Sequence, residues 1–344
     1  MKIFFLVPAF FMALFASCTK SVSPLQISCM DTICTVNAYD DGSKKLYSQI
    51  EKRLEQIDGK FSISNPSSDI SKINKLTKSQ SLVVSDDVAY VLGVALKTAE
   101  ISQGAFNPAL EELISLWNIN SASPKVPEHS MIQKALSCSD WKKIHINGNT
   151  VKVDSDSVKI NLGGIAKGFA ADEIVEILKA NGVKKAVIDL GGNIYVYGKK
   201  SSNLKWTVGA KNPEEPDGDP LILIKTFETS VVSSGTYERY FVKDSIRYHH
   251  IFDPETGYPA DKNLTQVTVI SRKSIIADVL STTAFVLGKD KTLELQDVFQ
   301  KEFKTKIDFV FVEKGNMVSW TKNPDIEITT RLRAPCINEG GINH

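Results

Sequence analysis

Twelve consecutive residues, His249-His250-Ile251-Phe252-Asp253-Pro254-Glu255-Thr256-Gly257-Tyr258-Pro259-Ala260, bring together two imidazoles, two carboxylates and a Pro-Glu-Thr-Gly turn. Histidine titrates near neutrality and can act as a general acid, a general base or a phosphate ligand. No apolar period runs through the segment, so it reads as a polar loop and not as a core element. His250 is the candidate proton-transfer group. Its plainer reading is a strand-end residue stacked on its neighbours.

Two other segments carry chemistry. Asp278 and Thr282 stand four apart in Ala277-Asp278-Val279-Leu280-Ser281-Thr282, so a helix there would put both on one face. A carboxylate and a hydroxyl offer hard oxygens suited to magnesium. Surface or capping residues are the plainer reading of the spacing alone. The apolar neighbours Val279, Leu280, Ala284 and Phe285 sharpen the case, because an ionised aspartate in such a helix needs a partner. Upstream, Leu162-Gly163-Gly164-Ile165-Ala166-Lys167-Gly168 reads as a loop between a strand and a helix. Glycines allow close backbone approach, and helix-start amides attract phosphate. The spacing matches neither a Walker loop nor a dinucleotide fingerprint, and no Gly-x-Ser-x-Gly elbow occurs. Ser234-Gly235-Thr236-Tyr237-Glu238-Arg239-Tyr240 is a further polar and aromatic turn, read most simply as a tight turn with a Glu–Arg pair.

These residues need a scaffold. The chain has 344 residues, a formal net charge of +1 and 42% hydrophobic residues, enough for one large domain or two small ones. Balanced charge gives no support for nucleic-acid binding. Met1-Lys2 and the apolar run Ile3 to Ala16 read as a signal segment too short to span a membrane. Leu14-Phe15-Ala16-Ser17-Cys18 looks like a bacterial lipobox, the plainer reading being an ordinary secretory signal cleaved near Ser17. The expectation is a signal peptide over 1–17, lipidation at Cys18, a tether over 18–25, and a domain held on the periplasmic side by its lipid alone. Cys29, Cys34, Cys138 and Cys336 remain; they read as buried free thiols without a zinc spacing, with one disulfide as the alternative in an exported protein.

Periodicity predicts a strand over 26–39 and an amphipathic helix from Lys44 to Ile57 on Leu46, Ile50, Leu54 and Ile57. Further helices are expected over 86–103, closed by Gly104, and over 128–137. A hairpin follows, Ile144 to Val153 around Asn147-Gly148-Asn149. The middle reads as strand 158–161, the glycine loop, helix 169–180, then strand 186–190. Asn161-Leu162-Gly163-Gly164 and Asp189-Leu190-Gly191-Gly192 echo each other, as duplicated strand ends would. Strands are expected at 206–208, 221–226, 231–235 and 307–312, and helices at 276–288 and 292–303. The fold class is α+β in one unit of two intimate halves over 26–333, with a frayed tail over 334–344.

Taken in order, the segments resemble the ApbE family, flavin transferases that attach FMN to proteins. The matching pieces are Phe61-Ser62 through Ser71-x-x-Asn74, Gly104-Ala105-Phe106, Leu116-Trp117, and the loop Leu162 to Gly168 with Asp172. They continue with Gly191-Gly192-Asn193, Ser234-Gly235 with Tyr237-Glu238-Arg239, the His249 to Pro259 segment, and Asp278 with Thr282. Together they cover roughly residues 28–320. The resemblance implies a T-fold-like arrangement of mixed sheets and packed helices around a flavin nucleotide cleft. It implies FAD as substrate, contacted by Ser64, Gly163, Gly164, Ala166, Lys167, Asp172, Gly235, Tyr237, Glu238, Arg239, His250 and Asp253. Magnesium would be held by Asp278, Thr282 and a carbonyl at Gly164 or Ala166. A Thr or Ser hydroxyl of an acceptor protein, a subunit of an exported or membrane redox complex, would displace AMP. The chain departs from the family pattern at Ser64, where a ring-stacking tyrosine is common, and at Asp31, Asn107, Asn161 and Thr236. An FAD pyrophosphatase giving FMN and AMP is the alternative reading, and a non-catalytic flavin-binding lipoprotein is another.

Overall fold

The computed structural model describes residues 23–202 and 204–331. The expected leader, Cys18, most of the tether, Cys336 and the 334–344 tail lie outside those residues.

The chain enters as a hairpin, β1 (Leu25–Cys29) and β2 (Thr32–Ala38), where a single strand was expected. Met30 and Asp31 turn it with φ of 52° and 57°. Next come α1 (Lys44–Phe61), α2 (Asp69–Ile73), β3 (Ser81–Val83), α3 (Asp86–Ile101), α4 (Glu111–Trp117) and α5 (His129–Ser137). The hairpin β4 (Ile144–Asn147) and β5 (Thr150–Val153) precedes α6 (Ala166–Ala180), β6 (Lys185–Leu190) and β7 (Asn193–Gly198). They are followed by β8 (Trp206–Ala210), β9 (Ile222–Thr226), β10 (Thr229–Gly235), β11 (Tyr240–Lys243), β12 (Ile246–His249) and β13 (Leu264–Ser271). The chain closes with α7 (Ser274–Leu287), α8 (Lys289–Phe303), β14 (Ile307–Glu313), β15 (Met317–Trp320) and β16 (Glu327–Thr330).

One antiparallel sheet, β1-β2-β6-β7-β10-β13-β14-β15, joins both halves of the sequence. Its two faces are sorted by alternation. Val36, Ile188, Val232, Val269 and Phe309 face the helical layer. Val196, Val231, Ile270 and Val310 face the smaller sheet β16-β9-β8 and its Trp206, Val208, Ile222 and Ile224. A third cluster around Trp117, Ile132 and Phe252 binds α4 and α5 to the 249–260 segment.

Residues 158–161 do not form a strand. Their backbone is satisfied by other means: Asn74 Oδ1 accepts from the Ile160 amide at 2.6 Å and Asn74 Nδ2 donates to the Ile160 carbonyl at 2.9 Å. The Asn161 amide donates to the Pro108 carbonyl. Only the second of the two echoing glycine motifs therefore ends a strand. The helix after it begins at Ala166 and not Phe169, which moves Lys167 and Gly168 from the loop into its first turn.

Two helices at the centre cap each other. Asp172 of α6 accepts from the Ser274 and Ile275 amides at 2.7 and 2.9 Å. Those are two of the amides that a helix start leaves without intrahelical partners, and the α7 N-cap, Lys273, offers none. In return, Asp278 Oδ2 of α7 accepts from the Gly168 amide in the first turn of α6 at 2.8 Å. Burial pushes the Asp172 carboxyl up to about 7, against the pull of the two amides. With both oxygens accepting, the bonding favours the ionised form. Arg53 adds a tie from α1, bonding Asp87 of α3 and Glu173 of α6 at 2.8 Å each.

Gly168 is what allows the approach. A Cβ there would lie 2.4 Å from the Ser274 carbonyl oxygen and 2.7 Å from Ile275 Cα, both backbone atoms. Gly168→Ala is therefore expected to lower the unfolding free energy by about 2–3 kcal/mol in urea denaturation. Gly59→Ala in α1, where a Cβ meets nothing within 4 Å, is expected to leave it unchanged or higher. Equal effects of the two substitutions would contradict the close crossing.

Candidate functional site

A cavity of about 500 Å³ opens beside the α6–α7 crossing. It is lined by Gly163, Gly164, Lys167, Gly235, Glu238, Arg239, His250, Asp278 and Thr282. Segments separated by more than 100 residues in the sequence thus converge, as the family resemblance implies. Of the 14 residues of α7, only Thr282 and Leu287 are not buried, so Thr282 is the helix's polar opening to the cleft. Asp278, one turn earlier, is 4% exposed and borders the same cavity. Thr282 Oγ1 lies 3.5 Å from Ser234 Oγ at the end of β10.

The bond from Gly168 to Asp278 has a second effect. In a regular helix start the Gly168 amide would bond the Gly164 carbonyl four residues back. It bonds Asp278 instead, and the Gly164 carbonyl is left without a donor among the described residues. A Cβ on Gly164 would meet Thr282 Oγ1 at 3.6 Å and Phe106 Cε2 at 3.4 Å, so Gly164 faces Thr282 closely. The Ala166 carbonyl, by contrast, lies inside the helical ladder. Three oxygen-bearing groups thus belong to residues that border the cavity at the start of α6: the Asp278 carboxylate, the Thr282 hydroxyl and the free Gly164 carbonyl. All are hard oxygens, and such a donor set fits magnesium when substrate phosphates complete the shell. The Lys167 amide has no backbone acceptor among the described residues, and its side chain also borders the cavity. A helix start of this kind favours an anion.

The two histidines differ sharply. His249 is buried, and its Nε2 faces the Ala260 carbonyl at 3.2 Å while its Nδ1 accepts from the Ile251 amide at 3.3 Å. A carbonyl only accepts, so the proton sits on Nε2 and the ring is neutral and fully satisfied. Burial pulls its pKa down to about 4. His250 points Nδ1 at the Arg239 carbonyl at 3.3 Å, which fixes the proton on Nδ1 and leaves Nε2 with a bare lone pair. Burial first, then the charge of Arg239, holds its pKa down to about 3. His250 lines the cavity.

Five expected contact residues do not line the cavity. Asp172 caps α7. Ala166 is buried in the first turn of α6. Tyr237 packs its ring against Gly235 and donates its hydroxyl to Gln266 Oε1 at 2.7 Å. Asp253 accepts from the Glu255 amide at 2.8 Å and pairs with Lys262 at 3.3 Å. Ser64 is exposed and bonds Ser62 Oγ at 3.0 Å. The 249–260 segment is also more buried than a polar loop: Ile251, Phe252, Asp253 and Ala260 are all inside. Its backbone is satisfied internally by Asp253 to Tyr258 and Ala260 to Ile251 bonds, and Trp117 Nε1 clamps the Gly257 carbonyl at 2.8 Å. The expected Glu238–Arg239 pair does not form; Arg239 Nη2 bonds the Asp31 carbonyl at 3.4 Å.

Asp31, Asn107, Asn118, Asn161 and Asn193 also line the cavity. Sequence reading noted four of these, Asn118 apart, only as parts of motifs or departures from them. Their signal was weak because an asparagine in a turn is ordinary. Cys29 and Cys34 are free and buried, as expected, and Cys138 is free and half-buried. Burial pushes the first two thiols up to about 12 and about 11.

Fold and cleft together define an α+β protein in which the start of α6, with its free Lys167 amide, borders the same cavity as Asp278 and Thr282. The model of the ApbE family matches residues 30–305, and the chain belongs to that family. It is similar to the FAD:protein FMN transferase of Treponema pallidum, 35% identical over 286 residues, which is 77% of this chain and 78% of the relative. The FAD:protein FMN transferase of Klebsiella pneumoniae is 33% identical over 88% of this chain and 90% of its own. The crystal structure of the ApbE protein of Thermotoga maritima superposes with a TM-score of 0.76 at 30% identity, covering 86% of this chain and 96% of that one.

The neutral His249 has a measurable consequence. Its folded pKa lies below the unfolded value, so its contribution to stability is complete above about pH 6.5 and is lost as pH falls towards 4. At pH 5 the loss from this ring is about 2 kcal/mol. His249→Gln is expected to flatten the dependence of urea unfolding on pH between 7.5 and 5. An unchanged slope would contradict the neutral assignment.

Proposed function

We propose that this protein transfers the FMN part of FAD to a threonine or serine hydroxyl of an acceptor protein, releasing AMP. The observation that carries the proposal is that Asp278, Thr282, Gly164 with its free carbonyl, and His250 with only its Nδ1 engaged, all line one cleft. The names carried by the relatives agree with it.

In this reading the start of α6 receives the pyrophosphate, with the Lys167 amide and side chain supplying donors and charge. Asp278, Thr282 and the Gly164 carbonyl would hold magnesium, which offsets charge developing on the phosphate oxygens. The acceptor hydroxyl attacks the phosphorus on the FMN side. A new O–P bond forms, the bond to the AMP oxygen breaks, and the hydroxyl proton passes to His250 Nε2. Phosphate charge entering the cleft raises the basicity of His250 from its depressed value. The Nδ1 bond to the Arg239 carbonyl keeps the ring in the accepting tautomer.

We propose the location on the leader reading. Signal residues 1–17 and lipidation at Cys18 would anchor the domain on the periplasmic side, so acceptors are exported or membrane redox subunits. No helix among the described residues is long and apolar enough to cross a membrane.

Incubation with FAD, magnesium and a threonine-bearing acceptor tests the activity. Covalent flavin on the acceptor with equimolar AMP supports transfer. Free FMN with AMP supports hydrolysis, and unchanged FAD supports binding alone. Asp278→Asn keeps an acceptor for the Gly168 amide and so preserves the fold while removing the charge. It is expected to lower turnover about 1,000-fold, and chelation of magnesium to do the same. Thr282→Val is expected to cost about 10–100-fold. Full turnover in the Asp278 variant would sink the metal assignment.

A further inference from the structure

The hairpin of β11 and β12 grows directly out of the cleft. Glu238 and Arg239 precede β11, and His250 follows β12; all three line the cavity. Among the described residues the two strands pair only with each other. The His250 amide bonds the Arg239 carbonyl at 3.1 Å, so Arg239–His250 is a hydrogen-bonded pair. By the alternation of antiparallel ladders, Phe241–Tyr248 and Lys243–Ile246 also bond inward. The backbone groups of Tyr240 and Val242 therefore point outward along the free edge of β11. No described residue satisfies them.

The side chains on that edge are apolar and exposed, Tyr240 at 40% and Val242 at 59%. Proteins usually blunt such an edge. Here it is held stiff and open instead. Phe241 stacks on Tyr248 at 5.2 Å, and Tyr248 rests on the buried Trp117 at 5.7 Å. On the opposite face the Arg247 guanidinium lies over the Tyr240 ring at 4.4 Å.

We propose that β11 is the docking strand for the acceptor: an extended acceptor segment adds to its free edge, and its continuation past Arg239 carries the hydroxyl into the cleft. The inference rests on the transfer reading, because only a protein substrate needs such a strand. Main-chain bonds to Tyr240 and Val242 supply affinity that does not depend on the acceptor's side chains, while the exposed Tyr240 and Val242 side chains sense alternate residues. The edge leads to the catalytic groups, so binding on it fixes where the hydroxyl arrives.

The test uses the full chain with FAD, magnesium and an array of peptides of about 15 residues, each with one central threonine, a length chosen to span a strand and the cleft. Transfer is read as flavin fluorescence that survives denaturant washing. A peptide that accepts is then N-methylated one residue at a time. Edge pairing predicts a period of two: methylation at alternate residues on one side of the threonine lowers transfer about tenfold, and at the residues between them has little effect. Val242→Pro removes an outward amide that no bond within the hairpin uses, so it is expected to raise KM for the peptide about tenfold with FAD affinity unchanged. Loss without periodicity, or an unchanged KM in the variant, would overturn the docking strand while leaving transfer intact. FAD cleaved to FMN and AMP with no peptide labelled would overturn the transfer reading, and the docking strand with it.

Discussion

The site depends on the destination of one backbone amide. Gly168 sits where α6 meets α7 at a distance that excludes any side chain. Its amide turns away from its own helix to bond Asp278. That bond orients the buried carboxylate at the positive end of α6 and frees the Gly164 carbonyl beside Thr282. The same crossing is secured from the other side by Asp172, whose two bonds start α7. A hard-oxygen site therefore exists because two helices complete each other's ends. Removing the acceptor oxygen at either position would leave the amides of the helix start it serves without a partner.

The adjacent histidines show how one strand end can hold a structural and a chemical residue. Successive side chains of β12 point to opposite sides, so His249 enters the core and His250 faces the cleft. His249 spends both nitrogens on backbone groups and locks the 249–260 segment against Phe285, edge to face at 5.5 Å. His250 spends only Nδ1 and keeps Nε2 for the cleft. Burial keeps both neutral, and only His250 retains a nitrogen without a hydrogen-bond partner among the described residues.

Much of this was legible in the sequence. The i, i+4 relation of Asp278 and Thr282 on an apolar helix and the glycine loop marked residues that the fold brings to one cavity, and the ordered motifs marked the family. Other features were hidden for physical reasons. β13 is buried on almost every residue and shows no alternation, so no strand period marks it. Residues 158–161 have strand-like composition, but Asn74 satisfies their backbone with a side chain. Asp172 was expected to contact the ligand, and it contacts a helix start. A motif residue can be required for the site without touching its occupant, and sequence does not separate those cases. The apolar residues of the 249–260 segment looked exposed because they lack a period, yet they pack on α4 and α5 through contacts far apart in the chain.

The most direct test is anomalous diffraction from a crystal of the protein with FAD and manganese standing in for magnesium. The account predicts one strong peak within bonding distance of the Asp278 oxygen not used by Gly168, of Thr282 Oγ1 and of the Gly164 carbonyl, next to the FAD pyrophosphate. FAD bound in the cleft with the metal elsewhere, or with the pyrophosphate away from the start of α6, would contradict it.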